Sequence, residues 1–344
     1  MTADSGLVTL AALSFEERCL AATKQVLTKE TKPVSIVLLD YGATATPGSE
    51  ATSLRNAHWA AIDNEASEHG IACSRRAINA YSMADLEEIV YQNTRGERRL
   101  LVDISCMTRP HILALAVSLT KAKNVESWTV AYTKPLSYGD LNAPNASGGW
   151  RDTLWLPLGE DPLLRNEGLA LGLLAVGHEA DRAGIALREI EPAAGIAIYS
   201  RRVDRPDLHR AALEKNRLLF SYLRQLRMPG PRGQAVKRFF RDGGWEIVGV
   251  RMERVVEDVA RVAARVVRAA VALDSPIVFI PFGPKLVVLI VAWLLARECP
   301  DRSWAIYPVA RTHPLGYSDG VLATDLLDGS VLEATRVNQA WSAE

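Results

Sequence analysis

Two stretches of this chain carry nearly the same text. Glu126 to Asp140 runs Ser-Trp, an apolar strand with Tyr132, then Thr-Lys-Pro-Leu-Ser-Tyr. Arg302 to Asp319 runs Ser-Trp, an apolar strand with Tyr307, then Thr-His-Pro-Leu-Gly-Tyr, with a short insertion. Matches upstream of each stretch fall in the same order. Such self-similarity means one supersecondary unit used twice, and it constrains the fold more than any single motif. It also makes a cleft between the two copies the first functional hypothesis.

Hydrophobic patterning fills in the repeated unit. In the first half, apolar runs at Leu7 to Leu13, Val34 to Leu39, Leu100 to Ile104 and Trp128 to Tyr132 predict strands. Between them, Phe15 to Leu27, Glu50 to His69, Ala84 to Gln92 and Pro110 to Lys121 predict helices, with Ser82 as a cap and Pro110 in a first turn. The second half restarts the series. Strands are expected at Leu169 to Val176, Gly195 to Tyr199, Trp245 to Val250, Ile277 to Ile280 and Trp304 to Val309. Helices are expected at Glu179 to Arg188, Leu208 to Leu226, Val255 to Leu273 and Leu286 to Arg297. Strands alternating with helices predict an α/β protein: two tandem Rossmann-like domains from an internal duplication, each a mostly parallel sheet covered on both faces. The expected boundaries are 1–140 for the first domain and 167–325 for the second. Residues 141–166, rich in Gly, Asn and Pro at the start, read as a linker with an edge strand near Leu154 to Leu158, and 326–344 as a tail.

In open parallel sheets ligands sit beyond the carboxyl ends of the strands, so the loops there carry the chemistry. One such loop is Asp103-Ile104-Ser105-Cys106-Met107-Thr108-Arg109-Pro110, feeding an apolar helix. Hydroxyls, helix N-terminal amides and Arg109 suit a phosphate or carboxylate. The bland alternative is a helix cap at Ser105 or Thr108 with a solvated Arg109. The second half answers with Pro281-Phe282-Gly283-Pro284-Lys285, in which Lys285 takes the place of Arg109 and Gly283 allows close backbone approach. Phe279 or Ile280 stands where Asp103 would be, so the acid has no counterpart.

A strand ending in Asp103, followed by Ser105, Thr108 and Arg109 and a Leu/Ala-rich helix, resembles the fourth-strand motif of CARF domains. These are the Rossmann-like sensor domains of CRISPR-associated proteins that bind cyclic oligoadenylates. The family pattern is Asp/Asn-hydrophobic-Thr-Gly-Gly-Thr-Lys; here Cys106 and Met107 replace the two glycines, and the second half keeps only Gly283 and Lys285. The resemblance covers this motif and the strand order. It implies a nucleotide or cyclic oligonucleotide ligand held between paired domains.

Three further constellations stand out. The loop after the first strand gives Ser14, Phe15, Glu16 and Arg18, echoed by Gly177, His178, Glu179 and Arg182. A ring there suits base stacking and a glutamate suits a ribose hydroxyl, while Glu at a helix start is also simply good for the helix. The turn after the fifth strand supplies Tyr138, echoed by Tyr317, each a rigid turn's aromatic with a polar tip. Asp40 ends the second strand, a place for a ribose-binding acid; its counterpart falls near Ser200 and Arg201. Finally, residues 201–268 hold 17 Lys+Arg against 8 Asp+Glu, and Arg254, Arg261, Arg265 and Arg268 recur at helical spacing opposite Val255, Val259, Val262 and Val266. That stripe reads as a solvated or internally paired face, with nucleic acid or an acidic partner as the sharper alternative.

Composition narrows the classes. The 344 residues suffice for two cores, 48% hydrophobic and 23% charged content is that of an ordinary globular protein, and a formal net charge of zero supplies no global pull toward nucleic acid. The N-terminus lacks a basic signal region and no apolar run reaches membrane length, so no membrane association is expected. Four scattered cysteines without a Cys-x-x-Cys pair suit a reduced, cytoplasmic protein without structural zinc, and the six histidines show no metal spacing. Neither a glycine-rich dinucleotide fingerprint nor a P-loop is present, and no cofactor is named by the sequence. The leading expectation is a nucleotide-binding sensor or scaffold subunit of a bacterial defence or regulatory complex, passing its signal to a protein partner that carries the effector. One alternative is a nucleotide hydrolase or nuclease with Glu16, Asp40 and Asp103 as acid/base groups or metal ligands. Another is a protein-interaction subunit without a small ligand.

Overall fold

The computed structural model describes residues 6–27, 33–42, 49–95, 98–122, 125–138, 150–159, 170–177, 180–192, 194–202, 205–227, 230–310 and 318–335. The first half holds β1 (Leu7–Leu13), α1 (Arg18–Leu27), β2 (Ser35–Asp40), α2 (Ser49–Glu68), β3 (Ala72–Ala77), α3 (Met83–Thr94), β4 (Arg98–Asp103), α4 (Arg109–Lys121), β5 (Val125–Lys134) and the two-residue β6 (Ser137–Tyr138). The second holds β7 (Trp150–Pro157), β8 (Leu171–Val176), α5 (Ala180–Ile190), β9 (Ala194–Arg201), α6 (Pro206–Lys215), α7 (Arg217–Gln225), α8 (Gly230–Val236), β10 (Trp245–Arg251), α9 (Val255–Ala272), β11 (Ile277–Pro281), α10 (Lys285–Glu298) and β12 (Ser303–Ala310). The chain then continues through β13 (Ser318–Asp319), β14 (Ala323–Asp328) and α11 (Gly329–Ala334).

Two six-stranded sheets result, ordered β14-β5-β4-β1-β2-β3 and β10-β9-β8-β11-β12-β7. Within each, the central strands pair in parallel and in the same order, reversing direction of travel between the first and fourth strand of the unit. This is the doubly wound order expected of tandem Rossmann-like domains. Every residue of β8 and all but the first of β1 is buried, as parallel strands covered on both faces require. In the first unit Leu13, Ile36 and Leu38 pack with Leu27 of α1 and Ile62 of α2.

Strand register shows the duplication residue by residue. Val8 pairs with Leu100 and Leu100 with Trp128; Gly172 pairs with Val278 and Val278 with Trp304. The two tryptophans thus hold the same place, and Arg109 and Lys285 each open the helix after the fourth strand. Register also corrects one expectation. Ala11 pairs with Asp103 and Ala175 with Pro281, so Pro281, rather than Phe279 or Ile280, stands where Asp103 does.

The sixth strands depart from a simple tandem arrangement. The chain leaving β5 goes on to form β7, which lies beside β12; the chain leaving β12 goes on to form β14, which pairs antiparallel with β5. The compact units are accordingly Met1–Gly149 with Ala310–Glu333, and Trp150–Val309 with Ala334–Glu344. Residues up to 325 were expected in the second domain, but the ladder from Ala323↔Lys134 to Asp328↔Thr129 joins β14 to the first sheet. Two elements differ further from the sequence reading. β3 escaped notice because its Ala-Cys-Ser-Arg-Arg-Ala is a polar edge strand. The helix expected over Leu208 to Leu226 is two helices parted at Asn216, whose buried side chain donates to Gly177 O and Ala212 O at 2.8 Å.

Candidate functional site

The reversal in strand order sets the loops Ser14–Glu17 and Ile104–Thr108 beyond the carboxyl ends of the neighbouring strands β1 and β4, where the crevice of such a sheet lies. Its floor is a buried polar network. Asp103, 2% exposed, accepts from Ser105 N at 2.8 Å and from the Ser105 hydroxyl. The same hydroxyl accepts from Thr133 N at 2.7 Å, so Ser105 ties the end of β4 to the end of β5. Arg18, 4% exposed, donates to Glu16 Oε2 at 2.5 Å and to Thr133 O at 3.3 Å. Burial pulls the Arg18 pKa down, yet the neighbouring Cys106, Glu16 and Tyr132 raise it further, so the guanidinium stays charged. Glu16 also accepts from the Ser318 hydroxyl.

Above this floor stands the N-terminus of α4. Thr108 occupies the cap position, but its side chain does not cap the helix; its hydroxyl donates to Ala80 O at 2.6 Å. Buried His111, two residues into the helix from Arg109, ties two loops to α4. A carbonyl can only accept, so His111 Nε2 donates to Ser82 O at 3.0 Å, and Nδ1 then accepts from the Tyr41 hydroxyl at 3.0 Å. Burial pushes the His111 imidazole down to about 4, and its bond to Ser82 opposes this only in part. The sequence reading passed over this pair, because a lone His and a lone Tyr carry no spacing signal. Their only clue is position, Tyr41 directly after β2 and His111 in the first turn of α4.

The expected site residues therefore divide. Ser14, Phe15, Cys106, Thr108 and Arg109 are partly exposed around the crevice. Arg18, Ser105 and Asp103 lie beneath it, engaged with one another and with backbone. Asp40 is held apart from them: it accepts from Arg75 at 2.6 Å and from Gly42 N at 2.9 Å, and Arg55 lies at 3.7 Å. Glu16, Asp40 and Asp103, read as acids for catalysis or metal binding, are each committed to donors of the chain. Among the described residues no group of three or more His, Cys, Asp or Glu side chains is arranged to hold a metal ion. The side chain of Tyr138, together with His178, Glu179 and Tyr317, lies outside the described residues.

The second unit's equivalent crevice is built differently. Phe282, 1% exposed, stacks on Tyr307 at 5.7 Å, and the Arg182 guanidinium sits 4.9 and 4.8 Å from their ring centres. Arg182 donates to Pro308 O at 3.1 Å, as Arg18 does to Thr133 O. Gly283 was read as allowing close backbone approach. A Cβ there would lie 2.8 Å from the Ala175 Cβ, so the space is taken by packing.

The arginine stripe is largely paired inside the chain. Arg254 meets Glu257 at 2.5 Å, Arg261 meets Asp258 at 3.4 Å and Arg265 meets Glu246 at 2.7 Å. Arg268 is half-buried with interactions of its own. Val255, Val259, Val262 and Val266 are buried on the opposite face, as expected. No helix among the described residues is long and apolar enough to cross a membrane.

No protein-family model matches the chain, and no curated protein does. Among solved structures, a type III CRISPR defence DNA nuclease activated by cyclic oligoadenylate is similar at 13% identity and a TM-score of 0.40, over 87% of this chain. This chain spans 65% of that nuclease's length. Anabaena Alr3699/HepE, solved with UDP, is similar at 9% identity and a TM-score of 0.18, over 82% of each chain. Likenesses this slight assign the chain to no family.

Proposed function

We propose that the first unit binds a nucleotide-type anion at the N-terminus of α4 and that the protein serves as a sensor or scaffold subunit rather than a catalyst. One observation carries the reading. At the point where the strand order reverses, α4 begins with no side-chain cap, because the Thr108 hydroxyl is committed to Ala80, and Arg109 is its first residue. A helix start of this kind presents amides, dipole and guanidinium to an anion. Phe15, partly exposed in the loop after the neighbouring strand β1, offers a face for a base. The resemblance of Asp103, Ser105, Thr108 and Arg109 to the CARF motif supports the same reading. The engagement of Glu16, Asp40 and Asp103 by internal donors favours binding over turnover. A defence or regulatory complex, with the effector on another protein, is the setting this reading implies.

Calorimetric titration with mononucleotides and with cyclic oligoadenylates tests it. Binding by the native protein should weaken about 10- to 100-fold in Arg109→Ala, the loss of one charge-assisted hydrogen bond. Absence of binding across the panel, or affinity unchanged in Arg109→Ala, overturns it. Turnover of a bound nucleotide that disappears in Glu16→Gln or Asp103→Asn would favour the hydrolase instead.

A further inference from the structure

The second unit holds a cavity of about 480 Å³ that the proposed function does not use. Its lining includes Arg201, Gly249, Arg251, Asp258, Arg261 and Arg265. Arg201 and Arg251 are the last residues of the adjacent parallel strands β9 and β10, paired in register with each other. Asp258, Arg261 and Arg265 come from one face of α9, at spacings that put them side by side. Four guanidiniums against one carboxylate leave three positive charges in excess along the lining, or two when Glu246, bound to Arg265, is counted.

The cations are held in place. Asp258 accepts from Arg251 N at 3.0 Å and Nε at 3.1 Å and faces Arg261 at 3.4 Å, orienting two guanidiniums at once. Burial would push Asp258 up, but the bonds from Arg251 and the charge of Arg261 hold it below the usual carboxylate range. Glu246 likewise fixes Arg265 at 2.7 and 3.0 Å. The Arg251 and Arg261 side chains remain about half exposed, at 43% and 54%. Each guanidinium has five N–H donors, so one carboxylate leaves an edge unused. Among the described residues Arg201 meets no carboxylate. Its stem instead lies across Gly249: a Cβ at that glycine would stand 2.4 Å from Arg201 Cδ. The bare strand position is what lets Arg201 enter the cavity wall.

We infer that this cavity is a second, independent anion site, for a small ligand bearing a di- or triphosphate group. Planar, preorganised guanidiniums match phosphate oxygens two at a time, and the volume lies in the range of small-molecule sites. A nucleic-acid strand fits less well, because the lining contains no aromatic side chain on which bases would stack.

The test uses the full chain and inorganic tripolyphosphate, with a fluorescent thymidine oligonucleotide as the second probe. Tripolyphosphate should bind, and Arg201→Gln and Arg261→Gln should each weaken it at least tenfold. Gly249→Ala removes no charge but displaces the Arg201 stem, and it too should weaken binding while the melting temperature confirms folding. The same titrations run in an Arg109→Ala background weaken the first unit's crevice, so the tripolyphosphate binding that remains there, and its loss in Arg201→Gln or Arg261→Gln, reports this cavity. No tripolyphosphate binding, or binding indifferent to the Arg201 and Arg261 variants, overturns the inference. Binding of the oligonucleotide but not of tripolyphosphate, lost in the same variants, also overturns it and makes the patch a nucleic-acid contact.

Discussion

The two crevices share a frame and differ in what fills it. In both units a buried arginine in the first turn of the first helix donates to a main-chain carbonyl near the end of the fifth strand, Arg18 to Thr133 and Arg182 to Pro308. In the first unit that cation leans on the Glu16 carboxylate, beside the Asp103–Ser105 pair. In the second it lies against the faces of Phe282 and Tyr307, and proline replaces the aspartate. The repeated arginine thus belongs to the scaffold. The parts that diverged are those facing the crevice, polar and hydrogen-bonded in one copy, aromatic and closed in the other. A duplicated fold can keep its internal tie and change its surface chemistry, and the copy that stays polar is the better candidate for binding.

The largest expected effect tests the scaffold side of this comparison. Arg18→Met takes the guanidinium away from the largely buried Glu16 carboxylate, and should cost about 3–5 kcal/mol, as removal of one partner of a buried ion pair does. Arg182→Met places a thioether between two rings, a favourable neighbour, and should cost about 1–3 kcal/mol, mainly the charge-assisted bond to Pro308. Urea unfolding of both variants decides it. Equal losses would mean that the carboxylate and the rings compensate the cation alike, and the comparison would fail.

The next effect concerns pH. His111 has its counterpart at Val287, the third residue of α10, so only the first unit carries a buried imidazole at this point. Its folded pKa of about 4 lies below the unfolded value of 6.5. The neutral form is favoured in the fold, so its contribution is complete above pH 6.5 and declines as pH falls through about 4. The loss should reach about 2 kcal/mol by pH 5. Hydrogen exchange should show the first unit opening more readily at pH 5 than at pH 7, with the second unit changing less. His111→Gln should flatten that dependence. An equal response of both units would locate the acid sensitivity elsewhere.

A smaller effect tests the polar floor. Ser105→Ala removes the acceptor for Thr133 N and one donor to Asp103, leaving a buried amide unpaired at a cost of about 1–3 kcal/mol. It should also weaken nucleotide binding indirectly, through the loop that carries Thr108 and Arg109. Full retention of stability would show that the network is not what holds the loop.

How much of this was open to sequence reasoning depends on the range of the signal. The repeat around Trp128 and Trp304, the alternation of apolar strands with helices and the equivalence of Arg109 and Lys285 are local patterns, and each is legible. The exchange of edge strands is not, because β7 and β14 look alike as short strands and only pairing assigns them to a sheet. Residue type pointed to Asp40, Asp103 and Glu16 as reactive acids. Two of their partners, Ser105 and Arg18, stand only two residues away, but residue type alone does not show that they are spent on these acids, and Arg75 reaches Asp40 only through the pairing of β2 with β3. The Arg201 to Arg265 cavity was half legible: the stripe on α9 showed its spacing, whereas Arg201 and Arg251 join it through strand pairing.

The smallest expected effect is at Lys285, and it bears directly on which crevice binds. Lys285 and Arg109 hold equivalent helix positions, and neither helix has a side-chain cap bond. Charge and dipole alone would therefore predict equal contributions to anion binding. The loops before them differ. Phe282 is buried against Tyr307 and Ala175 fills the space beside Gly283, so the second helix start faces a closed apolar floor. Lys285→Ala should then change nucleotide affinity by less than about twofold and stability by no more than about 0.5 kcal/mol, as for a partly exposed side chain. Arg109→Ala, measured in the same titration, should lose about 10- to 100-fold. If Lys285→Ala loses as much as Arg109→Ala, the second helix start binds nucleotide as well, despite its apolar floor. The polar network around Asp103 would then be a difference in folding chemistry and not in function.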